Sequence, residues 1–168
     1  ITIHKYHIGS SLTADKFVYK LNNAYVTSYD YKNKQISNDN KYIILDMTLK
    51  NKGKYELKPE EMYIMYNGNQ EAIYKSSLAN SFSDLGTVYN GDLIPTTPTN
   101  LLFIYEVPNS AKVNNLKLMV YKGYEYKNGV TNNIYREYKF NANNLDKEIN
   151  TQKSSINTLN YLGTSLYG

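Results

Sequence analysis

Cysteine and tryptophan are both absent from the 168 residues. Without cysteine there are no disulfides, thiolate nucleophiles or cysteine-ligated zinc sites, a usage that suits an exported protein of a low-cysteine Gram-positive bacterium. Arginine occurs once, as Arg136, and the lysines stand singly. The net charge of +4 therefore lacks the concentrated cationic patch that phosphate backbones call for, and nucleic acid is not an expected partner. A mild positive excess suits solubility, or weak attraction to anionic envelope polymers and lipid headgroups. No run of about 18 apolar residues is present, so nothing in the chain reads as a membrane-spanning helix. The chain starts at Ile1 rather than Met, and the expectation is that a signal peptide or membrane anchor has been removed from its front. Any membrane association would run through that anchor alone.

Catalytic signals are equally sparse. His4 and His7 are the only histidines; their spacing suits neither one strand face nor a helical i, i+4 pair, and no carboxylate or thiolate stands close by, so no metal site is expected. Glu60 with Glu61, and Asp84 with Asp92, are the nearest approach to paired carboxylates, and both read as solvated loop residues. Neither a G-x-S-x-G elbow nor a Gly-rich phosphate loop occurs. Met47, Met62, Met65 and Met119 fall in predicted strands and read as core filler rather than copper ligands. The chain is expected to be no enzyme, with no catalytic residue and no cofactor.

What the sequence does contain is tyrosine, 19 of them against four phenylalanines. A flat ring packs on a pleated surface while its hydroxyl reaches water, so this usage favours sheet. From Tyr42 to Lys50 the residues Ile43, Leu45, Met47 and Leu49 share one face, with Tyr42, Asp46, Thr48 and Lys50 on the other and Ile44 on the wetter side. Asn51, Lys52 and Gly53 then supply turn chemistry. Phe17 to Leu21 and Ala24 to Tyr29 read as one bent strand or two. Met62–Tyr66 and Glu71–Tyr74 read as a hairpin about Asn67-Gly68-Asn69. Leu101–Val107, Leu116–Val120 and Ile134–Phe140 are further strands.

Roughly seven to nine short strands separated by turn signals predict an all-β, immunoglobulin-like antiparallel sandwich. Its core would be Ile43, Leu45, Met47, Leu49, Leu101, Phe103, Tyr105, Val107, Leu116, Leu118 and Val120. Residues 1–15 read as a flexible N-terminal segment or edge strand, 16–141 as the sandwich, and 142–168 as a tail, linker or docked helix. In that last segment Leu145, Ile149, Ile156, Leu159 and Leu162 could line one helix face. The candidate interaction surface is Tyr121, Tyr124, Tyr126, Tyr135 and Tyr138, in and around one predicted hairpin. The plainer reading of these five is ordinary sheet filler. Loops Ser76–Gly91 and Gly123–Asn133 are expected to carry specificity.

Two stretches resemble a known family. "KYIILDMTLKNKGKYEL" is similar to the alternating strand ending in Asn, any residue, Gly of the DUF4352 immunoglobulin-like domains of Gram-positive cell-envelope proteins. "GDLIPTTPTNLLFIYEVPNSAKVNNLKLMVY" resembles that family's loop, strand ending Val-Pro, spacer and Leu-rich final strand. Here "PTTPTN" stands in place of the usual Pro-Gly, and Phe103, Val107, Pro108 and Leu116 take the pattern's structural positions. The resemblance implies an extracellular module, lipoprotein or membrane-anchored, that binds or scaffolds without catalysis. The expected partner is an envelope or host protein. Alternatives are a carbohydrate-binding module using exposed tyrosines for glycan, and an accessory subunit of a conjugation or secretion apparatus. The sequence leaves oligomeric state open.

Overall fold

The computed structural model describes residues 6–30, 32 and 34–146. In chain order the strands are β1 (Ser11–Ala14), β2 (Phe17–Thr27), β3 (Asn40–Asn51), β4 (Tyr63–Tyr66), β5 (Gln70–Glu71), β6 (Ile73–Tyr74), β7 (Thr99–Pro108), β8 (Leu116–Lys127), β9 (Val130–Phe140) and β10 (Asn143–Asn144), with a short 3-10 helix at Ser76–Phe82. They form two sheets. The larger runs β1-β2-β3-β7-β6, with β10 parallel to the end of β2; the smaller runs β5-β4-β8-β9. This is the antiparallel sandwich that the alternation predicts. All eleven core residues named from the sequence are buried between the sheets.

β2 is one strand, bent by a bulge at Asn22 between the Leu21↔Met47 and Asn23↔Asp46 pairs. An extra residue shifts the inward parity: Phe17, Tyr19 and Leu21 face the core before it, Ala24 and Val26 are buried after it. The Asn22 amide donates to Thr48 Oγ1 at 2.9 Å, so the bulge is pinned to β3. The hairpin read at Met62–Tyr74 is realised as β4 and β5, but Ala72 then carries the chain across the sandwich, and β6 pairs with β7 in the other sheet.

The outer face of the larger sheet differs from expectation. Ile44 and Tyr42 are not on a wet face; they are buried with Phe82, Leu102, Ile104 and Leu145 in a second, smaller core. The cover comes from the 3-10 helix and the residues after it, with Leu78, Leu85 and Val88 packed on the cluster. Ser76–Gly91 is thus a lid over apolar surface rather than a free loop. Burying a side chain such as Phe82 contributes about 1.5–3 kcal/mol, which fastens the lid. Leu145, just past β10, closes the same cluster, and its neighbour Asp146 accepts from the Thr27 hydroxyl and from the Ser28 amide. Of the proposed C-terminal helix face only Leu145 is described; Ile149, Ile156, Leu159 and Leu162 lie outside the described residues.

The Asn51-Lys52-Gly53 turn is a fastener. Asn51 is fully buried. Its amide donates to Tyr55 O at 2.8 Å and Leu93 O at 2.9 Å, and its Oδ1 accepts from the Gly53 N–H at 2.8 Å. A Cβ on Gly53 would stand 3.1 Å from that Oδ1 and 3.3 Å from Leu57. The motif therefore knots two loop segments, the one after β3 and the one before β7, to the end of β3.

Candidate functional site

β8 and β9 pair from Leu116↔Phe140 to Lys127↔Val130. The turn between them is Asn128-Gly129, with φ of 53° and 78°, the positive pair of a two-residue hairpin turn that Asn and Gly adopt readily. Gly123–Asn133, expected as a loop, is therefore mostly ladder: after a bulge at Lys122, between the Tyr121↔Tyr135 and Gly123↔Ile134 pairs, the pairing runs on to Lys127↔Val130. β4 pairs with β8 only over Lys117–Met119, and on the other side Tyr6 bridges β9 at Tyr138. Beyond Tyr121 and Tyr135 the two strands hydrogen-bond only each other among the described residues, and they form a projecting ribbon.

The five candidate tyrosines separate into three environments. Tyr124 and Tyr126, two apart on one face of the ribbon, are 67% and 70% exposed, with Val130 at 55% close to the tip. Tyr121 and Tyr135 face one another across the ladder and are half-buried, their rings edge-on at 5.9 Å; Tyr63 of β4 meets Tyr135 in the same manner at 6.0 Å. Tyr138 does not belong to the surface. It is fully buried, because its pair across the ladder, Leu118, faces the core and its hydroxyl finds acceptors inside, Ser10 O at 2.6 Å and Tyr19 O at 3.1 Å.

Two depressions meet beside the base of this ribbon, and Glu60 and Glu61 line both. The outer one, about 330 Å³, is walled by Tyr63, Tyr121, Asn133 and Tyr135. The inner one, about 290 Å³, is walled by Pro59, Met62, Tyr74, Tyr89, Phe103 and Tyr105. Its rings are held by contacts among themselves: Tyr89 stacks on Phe103 at 5.1 Å and 20°, and Tyr74 leans on Tyr105 at 5.3 Å. The Tyr105 hydroxyl donates to Met62 O at 2.9 Å, tying the segment that carries both glutamates to β7. The Tyr74 hydroxyl is buried without a hydrogen-bond partner.

Burial raises the phenol of Tyr74 to about 12, with Tyr89 and Glu61 adding to the shift. Burial, then Glu61, raises Tyr63; desolvation, then Glu60, raises Tyr121. Tyr105 is pushed well above its ordinary value, again by burial first. These phenols therefore stay neutral and polarised by carboxylates, which suits stacking and hydrogen bonding rather than proton transfer at neutral pH. Both glutamates are exposed. Neither pairs with a cation among the described residues, where the ion pairs are Lys75–Glu106 and Lys117–Glu137. Asp84 and Asp92 line neither depression. No group of three or more His, Asp or Glu that could hold a metal occurs among the described residues; His7 is exposed and His4 lies outside them.

Sequence reasoning had Tyr121 and Tyr135, and Asn133 and Tyr89 only as members of the two expected specificity loops, but not Tyr63 or Tyr74 beside them. Six separate segments converge here. The one local signal was the Glu60-Glu61 pair, whose aromatic surroundings only the fold supplies.

No known family pattern and no curated protein matches the chain. Solved structures do match. An uncharacterised β-sandwich protein of Clostridium difficile is 16% identical, covering 84% of this chain and 96% of that one, with a TM-score of 0.50. The yjhA protein of Bacillus subtilis is 13% identical, covering 81% and 99%, with a TM-score of 0.54. A conserved hypothetical protein of Bacillus anthracis is 12% identical, covering 77% and 94%, with a TM-score of 0.53. The chain shares a β-sandwich fold with uncharacterised proteins of Gram-positive bacteria. At these identities the likeness concerns the fold alone.

Proposed function

We propose that this chain is a non-catalytic, extracytoplasmic interaction module of a Gram-positive cell envelope, and that it engages a protein partner through the β8–β9 ribbon. The observation that carries the reading is the ribbon itself: a two-stranded projection with Tyr124, Tyr126 and Val130 exposed at its end. Large amphipathic rings on a rigid ladder are the residue type that interfaces concentrate, because they offer contact area at little entropic cost. The sandwich below, with a core on both faces of its larger sheet, acts as the stand. Placement outside the membrane rests on the resemblance to DUF4352-type lipoproteins and anchored proteins in the alternating β3 and β7 patterns.

A glycan platform fits less well. It calls for several coplanar exposed rings, whereas Tyr63, Tyr121 and Tyr135 stand edge-on and Tyr138 is inside. The test is a photo-crosslinking residue in place of Tyr126, compared with one in place of Lys20, which is exposed on the opposite sheet. On intact Gram-positive envelopes the 126 probe should give a discrete protein adduct that the 20 probe does not. Identical adducts from both positions, or glycan alone, would contradict the proposal.

A further inference from the structure

We propose that the inner cavity binds an organic ammonium cation, held on the faces of Tyr74, Tyr89, Phe103 and Tyr105 and neutralised at the rim by Glu60 and Glu61. This does not depend on the ribbon's partner, since the cavity lies between the segment ahead of β4, β6, the segment ahead of β7 and β7 itself, and the ribbon's tip lines no part of it.

Shape limits the ligand first. At about 290 Å³ the cavity lies at the small end of the range for ligand sites, and it takes the head of a ligand rather than a large ring system. Chemistry then selects the charge. Aromatic faces carry negative potential, and a cation within about 6 Å of a ring centroid is attracted to it, the more so when partly desolvated. Four aromatic side chains wall the space, and two carboxylates with no cation of their own among the described residues stand at its mouth. An anion would meet those carboxylates and be repelled. A neutral ring would gain stacking but leave both charges idle. Only a cation with an apolar skirt uses every wall.

The local field agrees. Although the chain is net basic, burial first, and then carboxylates among the neighbouring groups (Glu60, Glu61, Glu71, Asp15 and Asp92), raise the phenols of Tyr63, Tyr74, Tyr89, Tyr105 and Tyr121. Carboxylates this close to the rings favour a cation over an anion at this spot. The walls are also preorganised, by the Tyr89–Phe103 stack and the Tyr105 bond to Met62 O, so little ordering is needed on binding.

Ammonium chemistry reaches a protein from two sources, the primary amine of a lysine-like side chain and the quaternary head of a choline-like group. An NMR titration of the whole domain with n-butylammonium, tetramethylammonium and neutral n-butanol distinguishes them. The ring signals of Tyr74 and Tyr89 should shift with at least one of the cations, and n-butanol should bind roughly tenfold more weakly or worse. Preference for butylammonium assigns the lysine-like source; preference for tetramethylammonium assigns the other. The Glu60→Gln/Glu61→Gln double variant alters only exposed side chains, so it should fold normally and lose the cation preference while its weak n-butanol response persists. Equal affinity for n-butanol and the cations, no movement of the cavity signals, or an undiminished preference in the folded double variant would overturn the proposal.

Discussion

Along β3, Ile43, Leu45, Met47 and Leu49 on one face and Tyr42 and Ile44 on the other are all buried, whereas along β8 burial stops at Val120 and Tyr124 and Tyr126 stand in solvent. Both strands are long ladders of alternating side chains with good sheet formers. What separates them is cover. β3 has the smaller sheet on one side and the 3-10 helix lid with Leu145 on the other; the far end of β8 has only β9 beside it. The same tyrosine chemistry therefore gives structure in one place and presentation in the other, and position relative to the second layer decides which.

The sharpest way to break the comparison is to exchange tyrosines within one ladder. Tyr138→Ala removes a fully buried ring together with the hydroxyl that donates to Ser10 O and Tyr19 O. It should cost about 4 kcal/mol and lower the thermal midpoint by roughly 10 °C, read by calorimetry. Asn51→Ala follows, since it strips partners from Tyr55 O, Leu93 O and the Gly53 N–H together; a loss of about 3 kcal/mol is expected in urea unfolding.

Alkali acts on the same contrast. The phenols of Tyr19, Tyr74, Tyr105 and Tyr138 have folded values raised above the ordinary 10.0 by burial, Tyr74 to about 12. The unfolded chain therefore releases these protons first. Their stabilising effect is fully present below about pH 10 and is lost as pH rises through the folded values. Phenolate absorbance should rise for these rings together with the loss of sheet circular dichroism, rather than before it. Tyr105→Phe is milder, about 1–2 kcal/mol by chemical denaturation, for one buried carbonyl left unpaired at Met62.

The sandwich was readable because a strand's period of two maps directly onto its two faces. Ile43 to Leu49 and Leu101 to Val107 could be assigned to the core from alternation alone. Ile44 could not, because what covers it comes from Phe82, Leu102 and Leu145, remote in sequence. The Asn22 bulge was legible only as an uncertainty between one strand and two, since a bulge reverses parity without a residue type of its own. Tyr138 was misplaced for a related reason: a tyrosine's amphipathic side chain suits a buried or a wet site equally, and the carbonyls that accept its hydroxyl lie on β2 and ahead of β1. Glu60 and Glu61 were visible as a pair, yet the rings around them arrive from β4, β6, β7, β8, β9 and the segment before β7.

The smallest expected effect on stability is the most direct test of the whole account. In the Tyr124→Ser/Tyr126→Ser double variant, thermal unfolding and binding to intact Gram-positive envelopes should be measured side by side with the unaltered domain. The account predicts a stability change within about 0.5 kcal/mol, as for exposed substitutions generally, together with loss of most envelope binding. Undiminished binding by the folded variant, or a collapse of stability like that of Tyr138→Ala, would contradict it.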